Sequence, residues 1–473
     1  MLRLRSSKAL ALLLLSGCSE RLAPPPPPPR SPPTFACLTP PRLEPVLPSE
    51  VSPLLDQDNV DCFAWQELIA LGWPASPREP GTPDVGARFG APGDARPFVF
   101  QTYRDVNDLF LPGARAPAPW SARAVTDGAP PACARDATIA RAVAGGAPVL
   151  VDTAQAGVAA PAWLTAQSGR PVYFEIRVNR DVFEYVRREG LYDARRQLAA
   201  VQPGGPGIAL PAGPTAYGHE GAIEIKSAWL ELDDAGAAGR FATTTAALHE
   251  PARDRCRLAR MGLVGLHISH KTPSAQQWTW ATFEHEDNAP DRLEVERGAL
   301  AAAYTFYRPR CAPAEARACR PNRKPACEDG ACDPVSQPVA VVREIALAPE
   351  VQRLNEAMAQ RIADADPTSV WRHYRLIDVM WPASGEVVPP GREAPLTHGG
   401  AQPTALANVT METYVQTGDA RKGCLDCHAQ ASVAPTVAAI APTWASDYSF
   451  IFQRACDPAA PAGVCHPGNA VSR

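Results

Sequence analysis

No stretch of this 473-residue sequence approaches the ~18 consecutive apolar residues that a membrane-spanning helix needs. The longest candidate, Ala9 to Leu15, is far too short. Net positive charge is also missing. With 46 basic and 50 acidic residues the formal charge is −4, which excludes a strongly basic nucleic-acid binder. Lysine is scarce, 5 against 41 arginines, a bias of composition with no functional content. Glycine-rich runs such as 203–207 do not join a strand to a helix, so no phosphate-binding loop is supported. No G-x-S-x-G elbow occurs, which leaves a hydrolase triad without an anchor. Proline is the residue in excess. Its 52 occurrences, about twice the usual share, favour turn-rich, β-leaning structure over a helical bundle.

The first residues form an address. Arg3, Arg5 and Lys8 precede the short apolar run, and Leu15-Ser16-Gly17-Cys18 follows it. This pattern resembles a bacterial lipobox. The resemblance implies a signal peptide over 1–17, cleavage before Cys18 and lipidation of that cysteine. Ser19 stands where an aspartate would retain a lipoprotein in the inner membrane. The expectation is a cell-envelope lipoprotein at the outer membrane, facing the periplasm or the cell surface. Loss of residues 1–17 removes three cations and takes the charge from −4 to −7. Residues 18–36 form a proline-rich tether, whose APPPPPPRSPP run favours an extended polyproline rod.

Of 13 cysteines, Cys18 is assigned to lipid, and Cys424 and Cys427 to the motif below. Ten remain, an even number in an exported chain, which predicts up to five disulfides. Cys311, Cys319, Cys327 and Cys332 crowd into a segment with little apolar periodicity, read as a stapled surface loop. Zinc is the competing reading there, but the segment has no C-x-x-C pair. Cys456 and Cys465 can close a small loop near the C-terminus.

Residues 424–428 read Cys-Leu-Asp-Cys-His, the C-x-x-C-H signature of covalent haem attachment. Two thiols three residues apart can add to the two vinyl groups of one haem, and the next histidine then stands under the iron. In a chain of this composition the motif arises by chance in fewer than ~1% of sequences. Cys424, Cys427 and His428 are therefore the cofactor residues, with haem c as the one cofactor and His428 as proximal iron ligand. Residues 429–473 contain no methionine, and His466 is their one histidine. The pocket must be built from upstream sequence. Met411, thirteen residues before Cys424, is one distal candidate, in the first turn of a short helix capped by Asn408 or Thr410.

The fold class predicted is α+β: a β-rich central body of antiparallel strands, with a C-terminal helical haem-c segment packed against it. The boundaries are 37–400 for the body and 401–473 for the attachment segment. Alternation predicts strands at 171–178, 221–232, 262–268, 277–285 and 370–382. Helical periodicity marks 181–199 and 349–363. Strands 262–268 and 277–285 read as a hairpin. Parity sets Val264, Leu266, Ile268, Trp278 and Trp280 on one core face. The odd positions, from Leu263, Gly265 and His267 to Ala281, Phe283 and His285, make a second face with room for a haem. His267 or His285 can reach the iron from there. The two lie roughly 20 Å apart along such a hairpin, so only one can ligate. His267 is the second distal candidate. His267 and His270, three apart, point to opposite faces.

Several stretches are jointly familiar: 61–75, 172–186, 221–229, 262–288, 406–416 and CLDCHAQAS with SDYSFIF at 446–452. Across roughly 60–455 the chain resembles bacterial exported proteins known as cytochrome c family proteins. The resemblance implies one covalent haem on Cys424, Cys427 and His428, with no distal ligand and no substrate attached. The tether, the 311–332 cluster and the 456–473 tail look like local additions. Two functions stay open. One is a carrier of single electrons to an unidentified redox partner protein at the envelope. The other is a haem enzyme or small-ligand sensor with an open sixth iron position.

Overall fold

The computed structural model describes residues 34–460 apart from 52–54, 92–93, 95, 123–129, 156–162, 234–238, 251–252, 299, 301–302, 309–319, 326–336, 383–400, 417–422 and 440–444. Cys18, the tether up to residue 33, the 311–332 cysteines, Cys465 and His466 lie outside the described residues.

The body is α+β, built on a curled, mixed nine-stranded sheet. Its strands are β1 (Arg104–Asp105), β2 (Val149–Leu150), β3 (Val172–Val178), β4 (Ile223–Glu231), β5 (Thr243–Glu250), β6 (Arg255–His270), β7 (Thr279–His285), β8 (Tyr374–Pro382) and β9 (Ala401–Gln402). The main path runs β1-β3-β4-β6-β7-β8-β9, with β5 joined to β6 and β2 to β5. Every pairing is antiparallel except β2 with β5.

Strand β6, 16 residues long, organises the sheet. One edge pairs with β4 over 261–270. The other serves two strands in succession, β5 over 255–262 and β7 over 265–270. Between Leu263 and Gly265 the register with β4 shifts, so Val264 has no partner there and its side chain joins a second apolar cluster with Val172, Phe174 and Val341.

The hairpin corrects the parity expectation. Leu266 pairs with Phe283, His267 with Thr282, Ile268 with Ala281 and Ser269 with Trp280. Paired numbers sum to an odd total, so even residues of β6 share a face with odd residues of β7. Leu266, Ile268, Ala281 and Phe283 form one face, covered by the helix Gln57–Leu71 through Trp65, whose ring meets Phe283 edge-on at 5.3 Å. Gly265, His267, Ser269, Trp280 and Thr282 form the other. His270 points away from His267, as its spacing requires. It is fully buried, with Nδ1 2.6 Å from Glu67 on that helix.

The remaining elements follow local rules. Pro349 opens the helix Pro349–Ala365, where its missing N–H costs nothing. The single helix expected over 181–199 is two, Arg180–Glu189 and Ala194–Val201, because Gly190 at φ 72° ends the first in a left-handed cap. Cys37–Cys62 and Cys133–Cys256 are disulfides. Among the described residues no helix is long and apolar enough to cross a membrane.

Candidate functional site

The C-x-x-C-H motif forms a single helical turn, Cys424–His428. Asp426 accepts a 3.3 Å hydrogen bond from the backbone N–H of Gly423 and closes its start. Leu425 is buried, Cys424 and His428 are half-buried and Cys427 is exposed. The turn sits against Met380 of β8. The N–H of Leu425 points at the Met380 sulfur, 3.4 Å away. A Cβ at position 423 would lie 2.2 Å from the Met380 methyl, so Met380 would have to shift to admit one. Met380 is core, and it is also the floor under the motif.

The imidazole of His428 is held on three sides. Trp280 packs on it with ring centres 4.1 Å apart, and Phe450 meets it edge-on at 5.0 Å. Nδ1 lies 2.7 Å from the carbonyl oxygen of Tyr448. A carbonyl can only accept, so Nδ1 carries the proton and Nε2 presents the lone pair. Burial pushes the His428 pKa down to about 4, which keeps the ring neutral at physiological pH. A neutral imidazole with one nitrogen donated to a backbone carbonyl is what a metal-ligating histidine requires.

Tyr448 belongs to the buried turn 446–449. Asp447 and Tyr448 both have left-handed backbone, φ 53° and 65°. The Asp447 carboxylate pairs with Lys271 and accepts a 2.6 Å hydrogen bond from the Leu210 N–H. Its carbonyl accepts from the indole of Trp278 at 3.1 Å, and Trp278 is itself left-handed at φ 68°. Ser449 donates to Glu224, whose pKa burial raises to about 7.

The sheet face that carries Trp280 also carries His267 and, paired with it across β4 and β6, Lys226. His267 Nε2 is buried and faces Glu412 Oε2 at 3.4 Å, within ion-pair distance. Burial lowers the pKa of Lys226, and its ammonium lies 5.2 Å from the Phe174 ring. The charges of Lys226 and Glu412 both act on His428.

The other sequence-marked residues fall elsewhere. Segment 406–416 crosses the same face over Gly265, as turns in place of the expected capped helix. Met411 is fully buried in the second apolar cluster with Val264 and Val409, whereas Cys424 and Leu425 pack on the main one. His285 lies on the opposite face from Trp280. Its Nε2 donates to the Arg240 carbonyl and its Nδ1 accepts from the Asp287 N–H, both at 3.1 Å, so no lone pair is left for a metal. Lys271, Asp447 and the Tyr448 carbonyl were not anticipated. A backbone carbonyl leaves no mark in a sequence, and Lys271 and Asp447 lie 176 positions apart.

Among the described residues no three His, Cys, Asp or Glu side chains are grouped to hold a bare metal ion. No protein-family model matches the chain, and no curated protein and no solved structure matches it.

Proposed function

We propose that the protein is an exported c-type cytochrome, with one haem c bonded to Cys424 and Cys427 and ligated by His428. The C-terminal segment 401–473 is its attachment segment, packed on the β-rich body. When bound, that group supplies one-electron chemistry, and the protein passes single electrons to a partner protein at the cell envelope. Lipid on Cys18 anchors it, with the body in the periplasm or at the cell surface.

The observation that carries this reading is the state of His428. Its Nδ1 donates to a fixed carbonyl 2.7 Å away, and its free lone pair follows two correctly spaced cysteines on one turn. The residues present fit a haem c in a second respect. His267 stands on the face that carries Trp280, with its Nε2 facing Glu412 at 3.4 Å. This favours His267 over Met411, which is committed to another cluster, as the sixth ligand.

One observation supports the alternative of an enzyme or sensor with an open sixth position. Lys226, His267 and Glu412 gather protonatable groups beside the same histidine. A carrier has no need of them.

The test is the visible spectrum of the mature protein, made with haem-c maturation, reduced, with and without carbon monoxide. Sharp reduced bands that ignore carbon monoxide mark the six-coordinate carrier. A Soret shift marks the open site. The double variant Cys424→Ala, Cys427→Ala is expected to lose haem on a denaturing gel, and haem retained there would end the proposal.

A further inference from the structure

The turn 446–449 is built at odds with local preference. Two consecutive residues with side chains, Asp447 and Tyr448, occupy the left-handed region at φ 53° and 65°. That conformation crowds Cβ and persists only where surroundings impose it. The surroundings are specific. Lys271 pairs with the Asp447 carboxylate, Leu210 donates to the same oxygen, and Trp278 donates to the Asp447 carbonyl from a third left-handed residue. Lys271 and Trp278 are the two ends of the β6–β7 loop. Ser449 ties the far side of the turn to Glu224 on β4. Between these ties, the Tyr448 carbonyl is aimed at His428 Nδ1.

Tyr448 and Trp278 also pack in the main apolar cluster, but apolar burial is not directional and does not aim a carbonyl. A buried ion pair is weak grounds for stability, since desolvation offsets much of its attraction. Left-handed backbone at two adjacent side-chain positions is a cost. What the arrangement does secure is the direction of one carbonyl.

We propose that Lys271 and Asp447 are positioning residues: with Trp278 they lock turn 446–449 so that its carbonyl fixes the tautomer and tilt of His428. This rests on the haem reading for its redox consequence, though the lock on His428 stands apart from it. A histidine whose outer N–H is bonded to an acceptor is a stronger donor to its metal. Loosening the carbonyl weakens that donation and favours the reduced iron, so the potential rises.

The experiment compares the mature full-length protein with the charge-balanced double variant Lys271→Met, Asp447→Asn. Asparagine tolerates left-handed backbone and still accepts from Leu210, so the change is aimed at the ion pair. In haem-loaded protein the expected result is a more positive midpoint, by about tenfold in the reduction equilibrium, or 59 mV for one electron. Haem content is expected to stay unchanged. A folded variant with an unaltered midpoint and spectrum overturns the proposal. Should the double variant not fold, Trp278→Phe removes the indole N–H from the Asp447 carbonyl while keeping the ion pair, and a shift in the same direction is expected.

Should the wild-type protein carry no covalent haem, the haem reading fails by itself. The lock is then read by nitrogen NMR of histidine-labelled protein. Wild type is expected to hold His428 as the Nδ1–H tautomer, and the variants as a mixture. A single tautomer in both overturns the lock.

Discussion

His285 spends both of its ring nitrogens on the backbone, one donating and one accepting, while its ring stacks on Phe241 at 3.8 Å. Burial pushes its pKa from 6.5 down to about 4. The folded value lies below the unfolded one, so as pH falls the unfolded chain takes up the proton first. The contribution to stability is complete above 6.5 and is lost as pH falls towards 4. The loss approaches about 1.4 kcal/mol per pH unit inside that window. In denaturant titrations at pH 7 and pH 5, His285→Gln is expected to lose less stability between the two than wild type does. Equal losses would show that another group governs the acid slope. The same physics separates three histidines that look alike in sequence. His270 lies against a buried carboxylate, His285 against two backbone groups, and His428 against one carbonyl with its second nitrogen left over.

At the scale of elements, the close crossing of segment 406–416 over β6 ties the C-terminal segment to the sheet. Asn408 donates to the Thr282 hydroxyl at 2.8 Å and the Phe283 carbonyl at 3.0 Å, and the Val409 N–H donates to Glu284 at 2.7 Å. Glu284 is itself paired with the buried Arg343. Gly265 lies beneath, and a Cβ there would meet the Thr410 hydroxyl at 2.3 Å. Gly265→Ala is therefore expected to cost roughly 1–3 kcal/mol, read by urea unfolding. A change under ~0.5 kcal/mol would mean the segment shifts freely. Elements with a strong period were legible beforehand. Strands β3, β4 and β8 alternate or run apolar, and the helix Pro349–Ala365 shows its stripe and its proline. Two others gave no such signal. Strand β5 reads TTTAALHE, where threonine and alanine blur the alternation. The helix Gln57–Leu71 is buried nearly all round, Asp61 and Glu67 included, so it carries no amphipathic stripe. The motif was legible because three residues suffice to state it. Its supports were not, because they depend on which residues of β6 and β7 share a face, and the hairpin register reversed that parity.

For the molecule as a whole, the two disulfides differ in span. Cys37–Cys62 joins residues 25 apart, and Cys133–Cys256 joins residues 123 apart. Loop-closure entropy makes the longer link worth about 1.4 kcal/mol more. Alanine pairs at each link are expected to rank in that order on thermal or urea unfolding, and the reverse order would place the difference in native packing. Span matters at the C-terminal end too. Ser449 reaches Glu224 across 225 positions, and Leu210 with Asp447 and Gln197 with Ala434 each span 237. Contacts so distant along the chain carry a high loop-closure cost in folding. Cys424, meanwhile, has a thiol whose pKa burial drives well upward, and the thiolate is the reactive form. On the haem reading these two facts set a timetable. Cys424 and Cys427 would have to take their cofactor while the residues after the motif are still open, and the folding of turn 446–449 would then shut the door behind them.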